Sequence, residues 1–183
     1  MVLLHTPEKD TNFTAPDFKL KGVDGKEYTY QDCARENGCV VMFICNHCPY
    51  VLAVADRLAS TCIKLQEQGI GCVAIMANDT LNYPEDSYDN MELFAQKYGF
   101  TFPYVIDETQ ETARAYGAVC TPDIYGFDKD GKLQYRGRLD SAANQPASVS
   151  TVPELYNAMM EVKETGRASA KQTPSMGCSI KWK

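Results

Sequence analysis

Cys45-Asn46-His47-Cys48-Pro49 sets two cysteines on either side of two residues, with an imidazole and a proline flanking the second sulfur. Thiols at this spacing can close into a disulfide and reopen by exchange, and the thiolate is the form that attacks. The segment before them, Cys39-Val40-Val41-Met42-Phe43-Ile44, is short, apolar and partly β-branched, the pattern of a buried strand. From Pro49 to Gln68 the residues Val51, Val54, Leu58, Cys62 and Leu65 recur at helical period. The pair therefore sits where a strand gives way to a helix. The unbonded N–H groups and dipole at that helix start favour a thiolate.

Cys45 is read as the attacking thiol and Cys48 as the resolving one. Proline favours the first helical position, so Pro49 would make Cys48 the cap and give it the better place for the dipole. That keeps the reverse assignment open. His47, next to Cys48, would favour the thiolate further. Zinc binding is the competing chemistry, and it needs about four ligands. Cys45, His47 and Cys48 are too close in sequence to converge easily on one ion, and the only other histidine is His5. No metal and no bound cofactor is expected. Cys33, Cys39, Cys62 and Cys72 fall in or beside apolar segments and read as core. Arg136 and Arg138 alternate with Tyr135, Gly137 and Leu139 and read as the solvated face of an edge strand.

The 183 residues suit one domain with a full core. A formal charge of −6 with no basic cluster argues against a nucleic-acid surface. The start Met1-Val2-Leu3-Leu4-His5 lacks a basic residue before its apolar run, and no stretch approaches the ~20 apolar residues of a membrane span. A cytoplasmic protein is expected, in which most of the eight cysteines stay reduced.

The predicted elements alternate. A small hairpin turns at Asp24-Gly25, and a short helix follows near Gln31–Glu36. The strand and helix around the cysteine pair come next, then a strand over Ile70–Ala77. A polar loop with capping residues Asp86 and Ser87 leads to a helix over Tyr88–Tyr98, ended by Gly99. A strand over Pro103–Asp107 is followed by a helix over Thr109–Tyr116, capped by Thr109. Strands over Pro122–Asp128 and Lys132–Arg138 form a hairpin, and Val152–Thr165 is the last helix. Residues 1–165 read as the domain and 166–183 as a tail. The tail has Arg167, Lys171, Lys181 and Lys183 and no acid, against an acidic body. Met176, Ile180 and Trp182 are poor residues to leave in water, so the tail is expected to dock with Trp182 buried.

This order, with a Cys-x-x-Cys after one strand and Thr121-Pro122 opening a later one, resembles the thioredoxin fold. More narrowly it is similar to the redoxins of the alkyl hydroperoxide reductase/thiol-specific antioxidant group, in their peroxiredoxin-like "thioredoxin family protein" subgroup. The residues that carry this are Ala15-Pro16-Asp17-Phe18, Phe43–Val51, Tyr83–Ser87, Tyr98–Tyr104, Asp107–Gln110, Tyr116–Asp123, Tyr135–Asp140 and Gly177–Lys183. The resemblance implies an α/β fold: a central mixed sheet with helices on both faces and an N-terminal hairpin extension. It implies a cis-proline at Pro122 whose backbone, with Thr121, receives a substrate chain. It also places Cys120 near the site and leaves Cys178 as a further accessory thiol. The peroxiredoxin motif Pro-x-x-x-Thr-x-x-Cys is not met. Counting back from Cys48, its Thr and Pro places hold Cys45 and Val41; counting back from Cys45, they hold Met42 and Gly38. The expected activity is thiol–disulfide exchange through Cys45 and Cys48, with a protein or small-molecule disulfide as substrate and another thiol as electron donor. A thiol peroxidase using Cys48 is the alternative, and a non-catalytic binding module is the third reading.

Overall fold

Cys39–Phe43 forms a strand, β4, that is buried along its whole length. Its side chains alternate between two cores, with Val40 and Met42 in one and Cys39, Val41 and Phe43 in the other. A strand apolar on both faces needs cover on both, so it takes a central place in the sheet. The structure, a computed structural model, describes residues 3–8, 10 and 12–183. Met1 and Val2, the apolar start of the chain, lie outside them.

Seven strands make the main sheet. Besides β4 these are β2 (Lys19–Gly22), β3 (Glu27–Thr29), β5 (Gly71–Met76), β6 (Tyr104–Ile106), β8 (Asp123–Phe127) and β9 (Leu133–Arg136), in the order β3-β2-β6-β5-β4-β8-β9. β4, β5 and β6 run parallel, and the other pairings are antiparallel. The expected central mixed sheet with an N-terminal hairpin extension is what forms. α3 (Ala55–Glu67), α4 (Tyr88–Tyr98) and α6 (Glu154–Thr165) cover one face. α1 (Tyr30–Cys33) and α5 (Glu111–Tyr116) cover the other.

Local chemistry moves several boundaries. Thr29 and Asp32 form a capping box that starts α1 at Tyr30, earlier than Gln31. The helix expected from Pro49 is broken in two, α2 (Pro49–Leu52) and α3, at Ala53–Val54. Val51 and Val54 are both buried, and α2 lies against the C-terminal strand. α5 begins at Glu111, not Thr109, and its cap is Gln110 with φ 64°. That left-handed backbone is uncommon for a side chain of this size. It is held because the Gln110 amide is buried and donates to Ala77 O (2.7 Å) and Lys181 O (2.9 Å).

The C-terminal segment is part of a second sheet. β10 (Met176–Ser179) lies antiparallel between β1 (Leu3–His5) and β7 (Cys120–Thr121), with Cys178 opposite Thr121 and Ser179 opposite Cys120. Gly177 is required by the close approach, since a Cβ there would lie 1.9 Å from the Thr121 carbonyl oxygen. Ile180 and Cys178 are buried. Trp182 is not. It keeps 39% of its surface exposed and lies under the Arg114 guanidinium, 4.4 Å from the ring centre. A cation–π contact on the surface takes the place of the expected burial.

Candidate active site

Cys48 caps α2, with Pro49 at the first helical position, as the Cys-Pro pair suggests. α2 is only one turn long, so its dipole is a smaller influence than a continuous helix would exert. Thiols and amides from elsewhere supply the rest. Cys48 Sγ is 2.8 Å from Cys178 Sγ and 3.2 Å from the Thr121 carbonyl oxygen. Cys45 Sγ is 3.4 Å from the Thr121 hydroxyl. The Thr121–Pro122 peptide is cis, and Ser175 donates to the Pro122 carbonyl at 2.7 Å. Cys45, Cys48, Thr121 and Cys178 thus meet, with both pair sulfurs buried under β10.

The two sulfurs of the pair are driven apart in acidity. Cys48 lies well below an ordinary thiol: the Cys45 thiol hydrogen-bonds to it, and Cys178 adds its thiol and its backbone N–H. Burial opposes this without overturning it, and the Thr121 side chain adds to the lowering. Cys45 is pushed up by that same bond to Cys48, then by burial and by the charge of Asp86. The acidic member of the pair is therefore Cys48, not Cys45 as the sequence suggested. Burial and the bond to Cys48 raise Cys178 to about 12. Cys120 is pushed up by burial, and its sulfur faces the Pro122 carbonyl at 3.7 Å.

His47 is half-buried and its Nδ1 lies 2.8 Å from Asp86 Oδ2. Its ring stacks on Tyr83, 5.7 Å between centres. The imidazole is thus tied to a carboxylate, not left bare beside the sulfur. Asp86 is fully buried and also accepts from the Asn46 N–H and the Asn78 amide, each at 2.8 Å. Read from the sequence as a helix cap, it instead turns inward, and Ser87 holds the cap position. Donor atoms of Cys45, His47 and Asp86 lie within 4.8 Å of one another. Three donors match an open zinc site in number. Both Asp86 oxygens already accept hydrogen bonds, however, so this cluster reads as a proton-bearing network.

Arg136 was expected on a solvated face. It is buried, its guanidinium forks onto Asp123 at 2.8 and 3.2 Å, and it packs over the Tyr125 ring. Asp123 follows Pro122 directly, so this pair braces the proline loop from behind. Arg138 is half-buried and paired with Glu154 at 2.7 Å. No sequence signal separated these arginines from surface ones, because alternation alone cannot say which face of an edge strand is covered.

Two thiols that converge on Thr121 at the end of a central strand, beside a cis-proline, define a dithiol protein of the thioredoxin fold. The AhpC/TSA family matches residues 12–136, and the chain belongs to that family. A thiol-disulfide oxidoreductase ResA from Geobacillus thermodenitrificans is 32% identical over 124 residues, covering 66% of this chain and 65% of the relative. An uncharacterized conserved protein of known structure from Geobacillus kaustophilus is 42% identical with a TM-score of 0.93, covering 100% of this chain and 97% of that one. A hypothetical protein of Sinorhizobium meliloti is 32% identical with a TM-score of 0.91, covering 98% of each chain. Among the described residues, no helix is long and apolar enough to cross a membrane.

Proposed function

We propose that this chain exchanges thiols and disulfides through Cys45 and Cys48, with Cys48 as the attacking sulfur. The carrying observation is the convergence of both sulfurs on Thr121 beside the cis-proline, Cys45 Sγ 3.4 Å from its hydroxyl and Cys48 Sγ 3.2 Å from its carbonyl oxygen, with Cys48 held below the ordinary thiol pKa. Cys48 thiolate attacks a disulfide R–S–S–R′, a bond forms between Cys48 and RS, and R′S⁻ leaves. Cys45 then attacks the Cys48 sulfur, its proton passes to the departing RS⁻, and the Cys45–Cys48 disulfide remains. Run backwards, the same steps oxidise a dithiol. Another thiol system re-reduces the pair, and no bound cofactor takes part.

Thr121 and Pro122 form the backbone lane on which an extended disulfide-bearing chain would pair in place of β10, which occupies it here. The relative named as a thiol-disulfide oxidoreductase supports the reaction class. The test is trapping. In Cys45→Ser carrying Cys178→Ser as well, a substrate disulfide should leave a stable mixed disulfide on Cys48; in Cys48→Ser, little adduct should form on Cys45. Equal adducts on both would overturn the assignment. No Cys45–Cys48 disulfide in the oxidised native chain would overturn the reaction itself.

A further inference from the structure

The lane beside Thr121 is already filled by the protein's own chain. β10 pairs with β7 in antiparallel register, with Cys178 opposite Thr121. The Cys178 side chain is carried to 2.8 Å from Cys48 Sγ, and the two atoms need close only to about 2.0 Å to bond. A backbone strand beside the cis-proline, presenting a sulfur to the attacking cysteine, is the arrangement a disulfide-bearing substrate would adopt there.

Three further contacts fix this strand in place. Ser175 donates to the Pro122 carbonyl at 2.7 Å. The Lys181 N–H donates to Asn78 Oδ1 at 2.9 Å, and that same Asn78 donates to Asp86, the partner of His47. Gly177 makes the close approach to Thr121 possible. These contacts converge on the strand that places Cys178, while Cys120, one residue from Thr121 on β7, turns its sulfur to the Pro122 carbonyl.

From this juxtaposition we propose that Cys178 is a third exchanging thiol, which forms a disulfide with Cys48 and latches β10 over the substrate lane. The step rests on the exchange reading above and needs no new oxidant. Once a substrate disulfide has oxidised the pair, the Cys178 sulfur attacks Cys48 in the Cys45–Cys48 disulfide. The Cys48–Cys178 bond forms, the Cys45–Cys48 bond breaks, and the proton lost by Cys178 is taken up by the Cys45 thiolate. No electrons are gained or lost overall. The reverse exchange frees Cys178 and lets the strand leave. The oxidised chain is then closed to an incoming strand, while the reduced chain holds β10 by non-covalent contacts alone.

The experiment oxidises the full chain with excess glutathione disulfide and maps disulfides by peptide mass spectrometry under non-reducing conditions. In Cys45→Ser, the glutathione adduct on Cys48 should be replaced by a Cys48–Cys178 bond. Held within one fold, Cys178 competes at millimolar or higher effective concentration. Adding Cys178→Ser should raise the Cys48–glutathione adduct at least about tenfold. Adding Gly177→Ala to Cys45→Ser displaces the strand by its new Cβ and should do the same without touching a sulfur. A persistent Cys48–glutathione adduct in Cys45→Ser, with the Cys45–Cys48 disulfide intact in the native chain, would overturn the third thiol and leave the exchange reading standing. Failure of the native chain to form Cys45–Cys48 would overturn the exchange reading instead.

Discussion

Arg136 grips Asp123, the residue immediately after Pro122, through two nitrogens at 2.8 and 3.2 Å inside the core. The two partners pull in opposite directions. Burial pushes the Asp123 carboxyl up despite the arginine, while the carboxylate holds Arg136 above its ordinary value. The charged pair is the state we adopt. Arginine stays protonated, and a buried guanidinium facing a neutral acid would lose its compensation. Arg136→Ala would leave a buried carboxylate without a partner and should destabilise the fold by about 3–5 kcal/mol. Denaturant unfolding measures this. Arg136→Met with Asp123→Leu should recover much of the loss, because the uncompensated charge goes too. A loss under about 1 kcal/mol in Arg136→Ala would mean that the loop is braced by something else.

Cys48 should ionise well below the ~8.5 of a free thiol, and Cys45 above it. Thiolate absorbance near 240 nm reads this without a reagent having to reach the buried sulfur. The native-minus-Cys48→Ser difference should already be present near neutral pH. The linkage follows from the sign: a thiol whose folded value is depressed stabilises the fold fully above its unfolded value, near 8.5, and loses that contribution as pH falls toward the folded value. The stability gap between native and Cys48→Ser should therefore widen from mildly acidic to alkaline pH. A gap that narrows over that range would reverse the assignment of the acidic sulfur.

The strand-and-helix order was legible because it rests on periodicity. β4 is apolar throughout and became central, and α4 ends at Gly99 with φ 63°, where glycine carries no Cβ penalty. The cysteine pair was legible from its spacing at a strand-to-helix junction, and Thr121-Pro122 only through the resemblance to the thioredoxin fold. The rest of the site was not, since it depends on long-range packing. Asp86 sits 39 residues from His47 in sequence, and nothing local distinguishes it from a helix cap. Cys178 lies 130 residues from Cys48, so its role appears only once β10 is paired. The acidity of the pair depends on the same long-range packing. The bond from Cys45 weighs most and donors from Cys178 add to it, while the helix start counted on to favour a thiolate is one turn long and begins at Cys48.

Asp86 gathers three donors, from His47, Asn46 and Asn78. Asp86→Ala leaves these without an acceptor in a buried place and should cost roughly 2–4 kcal/mol, given about 1–3 kcal/mol for an unsatisfied buried group. It also removes the charge that raises Cys45. The Cys45 thiol should then become more acidic, and resolution of a mixed disulfide on Cys48 should respond to pH at lower values. Single-turnover release of a chromogenic thiol across pH reads this. An unchanged profile in the folded variant would confine Asp86 to a structural part.

Gln110 ties the last residues to the body through one side chain, donating to Lys181 O and accepting from the Lys183 N–H, each at 2.9 Å. Its left-handed backbone is a local cost that these bonds and the bond to Ala77 O offset. Gln110→Ala keeps the unfavourable backbone and removes all three bonds. At about 1 kcal/mol each, that is enough to shift docking of the end segment by more than tenfold. Trp182 is the only tryptophan and stays partly exposed on Arg114, so the native emission should be intermediate and partly quenched by iodide. In Gln110→Ala the emission should move to that of a solvated indole and the quenching should rise, while β10, held by its own ladder and Ser175, stays in place. Arg114→Ala provides the contrast. It should increase quenching with little loss of docking, since it removes only the ring's cover. If Gln110→Ala left both emission and quenching at native values, Arg114 and the β10 ladder would suffice to hold the end of the chain.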